Sequence, residues 1–421
     1  MTQKKSNKQT IIPPKQQGKT AFTRKFRAWY RTLPAGLQLV GLQLWMPLFF
    51  VTMLCMCYLF AFHAPRIADV PVAYVGAEAP ATQLEEKLDG KIAISMYDSR
   101  DDATEAVRSG KMAGAIESTD DGNMQLIIAS AHQFQAATMV RQMLEPVLLT
   151  DGMPPTVHDL APLPAHDAFG TVAMYMMLVT CIGGYMVGMF LGMMGGPLLH
   201  RTRIATLLVA SFVLSLLAQV LTYGVDAVHG HFWQLWPLQW AWMFTIGLVV
   251  NGASYFVGRF IATVALTVFV FLSMPASGGA FPVYFLPDIF QWLSHVVVGS
   301  GITEMYKHIL YGVGPGMMSG FTLLATYLLI GLVLTVIGKP LWERRRAKQI
   351  LAGETTMFMD AQKANRDHNA KIRERIFADA GLVLPETLEV EGTVLETEGN
   401  GPQSGASDML TTDSSFDRTR E

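Results

Sequence analysis

Long apolar runs separated by short charged breaks set the pattern of this chain. A membrane-crossing helix needs about 20 consecutive apolar residues. The runs at 37–62, 170–194, 204–225, 237–257 and 316–338 reach that length. A shorter run at 260–274, which ends at Pro275, is counted as a sixth span. The first run is too long for a signal-peptide core and is followed by His63-Ala64-Pro65-Arg66, so it reads as an uncleaved anchor.

Between the first and second runs the periodicity changes. Residues 70–75, 92–97, 113–116 and 124–128 are short apolar stretches of strand length. Residues 81–88, 103–107 and 136–144 carry apolar positions at helical spacing, and Ser99 with Asp102 reads as a helix-opening box. The pattern therefore predicts a membrane α-helical protein with about six transmembrane helices, one plus five. A small extracytoplasmic α/β domain over 63–169 is inserted after the first. Residues 275–312 are apolar but broken by Gly and Pro, and read as an outer re-entrant or interfacial segment. Residues 1–36 form a basic tail and 341–421 a second tail, acidic and disordered past about 385.

Charge fixes the orientation. Residues 1–36 hold about nine Lys or Arg and no acid, whereas 64–167 hold about sixteen acids against about seven bases. With the basic tail in the cytoplasm, alternation places Arg201 and Arg203, Arg259, and Arg344-Arg345-Arg346 on the same side, as the positive-inside rule requires. Both termini are then cytoplasmic, in a plasma or inner membrane. Because the basic tail abuts a span, it reads as a topology signal and not as a nucleic-acid surface.

Candidate chemistry is sparse. Cys55, Cys57 and Cys181 all lie in apolar runs, which leaves no disulfide framework and no zinc spacing. His158-Asp159 and His166-Asp167 read as solvated loop residues. Gly18-Lys19-Thr20 looks like the end of a phosphate loop, but Pro13 stands where its first glycine belongs. The sequence thus names no catalytic, cofactor-binding or metal-ligating residue, and no enzyme is expected. Gly184, Gly188, Gly192 and Gly196 recur every fourth residue, a flat stripe for helix packing. Ser277, Gly278, Gly279, Pro282 and Pro287 mark a candidate outer gate. Asn251 and Asp226 are candidate intramembrane polar groups.

Two stretches carry a family resemblance. One runs from Asp102 to Ile116 and contains Gly110-Lys111 and Gly114-Ala115-Ile116. The other joins Ser277-Gly278-Gly279 to Phe281-Pro282 and Leu286-Pro287. Together they resemble the ABC type-2 exporter permeases, and more narrowly the YhgE/Pip-like branch, over roughly 37–340. The chain departs from that pattern at Val298-Gly299-Ser300-Gly301, where a proline is missing. The resemblance implies a permease subunit that exports an amphipathic substrate. It would be powered by a separate cytoplasmic ATPase, embedded in the lipid bilayer, and paired as a homodimer or with a similar half. The alternative it leaves open is a non-transporting envelope or secretion accessory whose outer domain is the working part.

Overall fold

The computed structural model describes residues 21–63, 69–118, 124–149, 154–195, 198–228, 230–351 and 357–381. These fall into two compact units: residues 44–351 form one, and 21–43 with 357–381 form the other. In the smaller unit, α1 (Ala21–Tyr30) turns at Pro34 into α2 (Ala35–Gln43). The Gln38 side chain locks that turn, donating to the carbonyls of Leu33 (2.6 Å) and Arg31 (3.2 Å). The Tyr30 hydroxyl donates to the Gln38 carbonyl in return.

The larger unit opens with α3 (Trp45–Phe62), which contains a π-helical turn at Cys55–Leu59. The expected span at 37–62 is thus shortened, because residues up to Gln43 belong to α2. There follows a five-stranded sheet in the order β2-β1-β3-β4-β5, built from β1 (Val70–Val75), β2 (Ile92–Met96), β3 (Gly114–Ser118), β4 (Met124–Ile128) and β5 (Thr156–Asp159). Only the β3–β4 pair is antiparallel. The connecting helices are α4 (Glu78–Lys87), α5 (Arg100–Arg108) and α6 (Phe134–Leu144).

Handedness decides which face each helix covers. Parallel crossovers are right-handed. The β1-to-β2 step and the β2-to-β3 step run in opposite directions across the sheet, so α4 and α5 must take opposite faces. The β4-to-β5 step reverses both strand direction and sense of travel, which returns α6 to the face of α4. The cores follow this rule. Val72, Tyr74, Leu126 and Ile128 pack with Leu84 of α4 and Val140 of α6, whereas Ala73, Ala115 and Ile127 pack with Val107 of α5. Ser99 caps α5, accepting from the Asp102 backbone at 3.1 Å.

The helical block then comprises α7 (Val172–Met194), α8 (His200–Gly224), α9 (Phe232–Val257), α10 (Ile261–Ala276), α11 (Asp288–Ser294), α12 (Val298–Tyr311) and α13 (Met317–Leu351). Among the described residues, α3, α7, α8, α9 and α13 are long and apolar enough to cross a membrane. The expected sixth span, α10, is shorter, about 24 Å at the rise of an ideal helix. It nevertheless runs from one end of the block to the other. It leaves the end of α9 at Gly258, and the chain beyond it reaches the start of α7, where Gly279 lies against Met174.

Two boundaries differ from the sequence pattern. α9 begins at Phe232, because Pro237 sits inside the helix without breaking it. α13 passes through Pro340, and its charged end continues to Leu351. Membrane helices accommodate such prolines because neighbouring helices re-satisfy the freed backbone groups. In the smaller unit, α14 (Met357–Asp379) packs on α2. Gly196 and the segment past 385 lie outside the described residues.

Candidate functional site

Residues 277–316 link the α/β sheet to the helical block. Ser277 closes the end of α10, its hydroxyl donating to the Met274 carbonyl (2.7 Å) and accepting from the Gly279 amide (3.1 Å). Gly278 is left-handed (φ +68°), a conformation glycine adopts without strain. Pro282 and Pro287 are extended residues that start the short turn Val283–Phe285 and α11. Phe285 of that turn is fully buried in the sheet's core, beside Val72 and Val140. The chain therefore leaves the helical block, inserts an aromatic side chain into the α/β core, and returns.

The return is re-entrant. α11 ends in a turn whose Val296 carbonyl accepts from the Tyr327 hydroxyl (2.8 Å). Tyr327 lies ten residues into α13, roughly 15 Å along it. From that depth α12 climbs back among α7, α10 and α13. Gly299 abuts the Ser273 carbonyl, and the Tyr306 hydroxyl meets Thr180 at 2.9 Å. At its far end the Tyr311 hydroxyl donates to Asp167, and the Gly314 amide donates to the Arg108 carbonyl of α5 (2.9 Å).

A buried charge cluster lies where α12 meets the sheet. Lys307, 2% exposed, donates to the Gly278 carbonyl at 3.2 Å and stands 3.8 Å from Glu304. The other Glu304 oxygen is 3.5 Å from Nε2 of His132, in the loop before α6. Gln133, the next residue, donates its amide to the same Gly278 carbonyl. Burial works to raise the Glu304 carboxyl, but the Lys307 ammonium and the His132 ring hold it well below the usual range, at about 2. Burial lowers the Lys307 ammonium, and Glu304 opposes that shift. A cavity of about 10 Å³, lined by Gly110, His132, Gln133 and Tyr284, adjoins the cluster. The groups form no nucleophile–base pair. Chemically the arrangement grips one carbonyl from two sides and neutralises one carboxylate.

The glycine stripe lies elsewhere, along α9. A Cβ on Gly184 would stand 2.9 Å from the Met243 carbonyl, one on Gly188 2.9 Å from the Gly247 Cα, and one on Gly192 2.6 Å from the Ser254 Cβ. The opposite side of α9 meets α13 in the same way, through Gly252 at Thr335 and Gly331 at Val249. Asn251 is buried in α9, and neither of its amide atoms makes a hydrogen bond among the described residues. Asp226 stands in a turn just past the end of α8, with φ +59°.

Of the His-Asp pairs read from sequence as solvated, His158 and His166 are exposed as expected, whereas both aspartates are engaged. Asp167 is 5% exposed and caps α7, accepting from the Thr171 (2.9 Å) and Val172 (3.2 Å) amides. Asp159 ties β5 to the end of β4, accepting from Ser130 and Ala161, each at 3.1 Å. Helical spacing puts Glu304, Lys307 and His308 on one face, but the sequence does not point to His132, Gln133 or Tyr311. Nothing in local spacing signals residues more than a hundred positions away.

Beside α7, α8 and α9 a cleft of about 390 Å³ opens, lined by apolar side chains including Tyr175, Val179 and Leu221, with Gln239 as one of few polar groups. No family model, no curated protein and no solved structure matches this chain.

Proposed function

We propose that this chain is the membrane subunit of an exporter driven by a separate ATPase. On this reading α10 is the sixth span, the α/β sheet lies outside the cytoplasm, and both termini lie inside. The observation that carries the reading is the seating of Phe285 in the sheet core, together with the two-sided grip of Lys307 and Gln133 on the Gly278 carbonyl. A segment that dips into the helical block is thereby built into the outer domain. Movement of α12 against α9 and α13 must then displace the sheet, which is what a lid over an exit path requires. The resemblance at 102–116 and 277–287 supports the same assignment. The substrate class that fits is amphipathic, matching the apolar cleft beside α7 and its polar Gln239. The ATPase would meet the cytoplasmic loop between α7 and α8, and a second copy or a similar half would complete the assembly.

The test is purification from native membranes in mild detergent, followed by identification of the co-purifying chains. The expected result is a stoichiometric ATPase whose hydrolysis falls when Lys307→Met is introduced here. If no ATPase accompanies the chain and its deletion leaves export unchanged, the exporter reading is wrong. The chain would then be a non-transporting accessory worked by its outer domain.

A further inference from the structure

The first helix of the smaller unit has two chemically opposed faces. Phe26 and Trp29 stand three apart on α1 and share one helical side. In the sequence, arginine recurs at positions 24, 27 and 31, a spacing that falls opposite to them at 100° per residue. Phe26 and Trp29 are 44% and 57% exposed, and their rings contact each other with centroids 5.7 Å apart. Tyr30, by contrast, is buried and fixes α1 to α2 through its bond to the Gln38 carbonyl, with Gly41 leaving room for its hydroxyl. The exposed aromatic pair therefore belongs to a helix of fixed setting. No acid occurs in residues 1–36.

We propose that α1 lies in the surface plane of an anionic bilayer. Phe26 and Trp29 enter the boundary between head groups and acyl chains, and Arg24, Arg27 and Arg31 face the lipid phosphates. Aromatics opposite arginines are the composition of an interfacial helix, and a wholly basic segment complements an anionic head-group layer. Chain length keeps the surface within reach: residues 31–44 alone separate α1 from α3, and nine of them form α2, about 14 Å long. The assignment goes beyond transport and holds whether or not the chain exports anything.

The experiment uses the full-length chain with Cys55, Cys57 and Cys181 replaced by alanine, reconstituted in nanodiscs. Spin labels are placed through Phe26→Cys on the aromatic side and, separately, Ala28→Cys on the flank. With phosphatidylglycerol present, the label at 26 is expected to become accessible to oxygen and shielded from a water-soluble nickel reagent. The label at 28 should stay open to nickel. Replacing Arg24, Arg27 and Arg31 with glutamine should return position 26 to water, since each basic residue contributes about fivefold to surface binding. The proposal fails if position 26 is equally water-accessible with phosphatidylglycerol and with phosphatidylcholine alone. It fails also if 26 is shielded only when a co-purifying protein is added, which would assign the face to that protein. As an independent measurement, brominated phosphatidylglycerol should quench the unlabelled chain more than its Trp29→Phe variant. Equal quenching also overturns the proposal.

Discussion

The seam along α9 and the junction at α12 both hold buried elements at short range, but by different physics. Along α9 the contact is backbone against backbone. Gly184, Gly188 and Gly192 of α7 on one side, with Gly252 and Gly331 on the other, let three helices approach until only glycine fits. At α12 the contact is polar: Lys307, Glu304, His132 and Gln133 converge on one carbonyl and on one another. The first arrangement fixes shape and offers no alternative partner. The second can be dissolved and rebuilt, because its members are polar side chains whose partners water can replace. A block that must stay rigid and a joint that must move would be expected to divide in this way.

The largest effect is expected at Lys307. Lys307→Met alone leaves Glu304 buried without its cation and should cost about 3–5 kcal/mol, read as thermal unfolding in detergent. Adding Glu304→Gln should restore more than half of that loss, because removing both charges of a buried pair is far milder than removing one. Failure of the double variant to recover would mean that the lysine stem, not its charge, holds the joint. Next in size, Gly188→Val should cost about 1–3 kcal/mol or more from overpacking against the Gly247 backbone, and trimming the neighbouring Val250 to alanine should recover little of it, since the Gly247 carbonyl offers no side chain to remove.

Acid sharpens the polar half of the comparison. Glu304 is depressed, so its stabilising contribution is complete above the unfolded carboxylate value of about 4.3. It is lost progressively as pH falls from there through about 2. Pepsin cleavage within 277–287 should therefore stay slow near about pH 4 and accelerate toward about pH 2. Cleavage already fast at the higher value would show that the carboxylate does not hold this loop. The smallest effect is expected in α3, whose apolar window is 11% buried against 61% in α9. Phe50 there meets Phe271 edge-on at 5.2 Å, and Phe50→Leu should cost under about 1 kcal/mol by the same thermal assay.

Much of the α/β sheet was legible locally. Val70–Val75 and Met124–Ile128 are apolar runs with the strand bounds the pattern shows, and Ser99 at the start of α5 bonds as its spacing predicts. β5 was not legible, because Thr156-Val157-His158-Asp159 has one apolar residue and is placed by pairing with β4 and by the bonds of Asp159. The bound of the first span was misplaced because residues 37–43 are apolar enough to continue it, and composition does not register a turn of the chain. Of the linking site, Gly278 and the prolines were visible as breaks in an apolar run. What they bind was not, since His132 and Gln133 meet α12 only through tertiary folding. Asn251 drew notice as a polar residue in a span, but its placement among buried neighbours required the fold.

The two-sided packing of α9 also has a consequence in time. Its α7 face finds a finished partner as soon as the helix is made. Its α13 face, with Gly252, must wait until α13 begins about 60 residues later. At roughly 5–20 residues per second that is an interval of several seconds. During it the groove at Gly252 stands open to lipid. The nascent chain must therefore be sheltered by the insertion machinery, or remain able to slide, until its last long helix arrives to complete the groove.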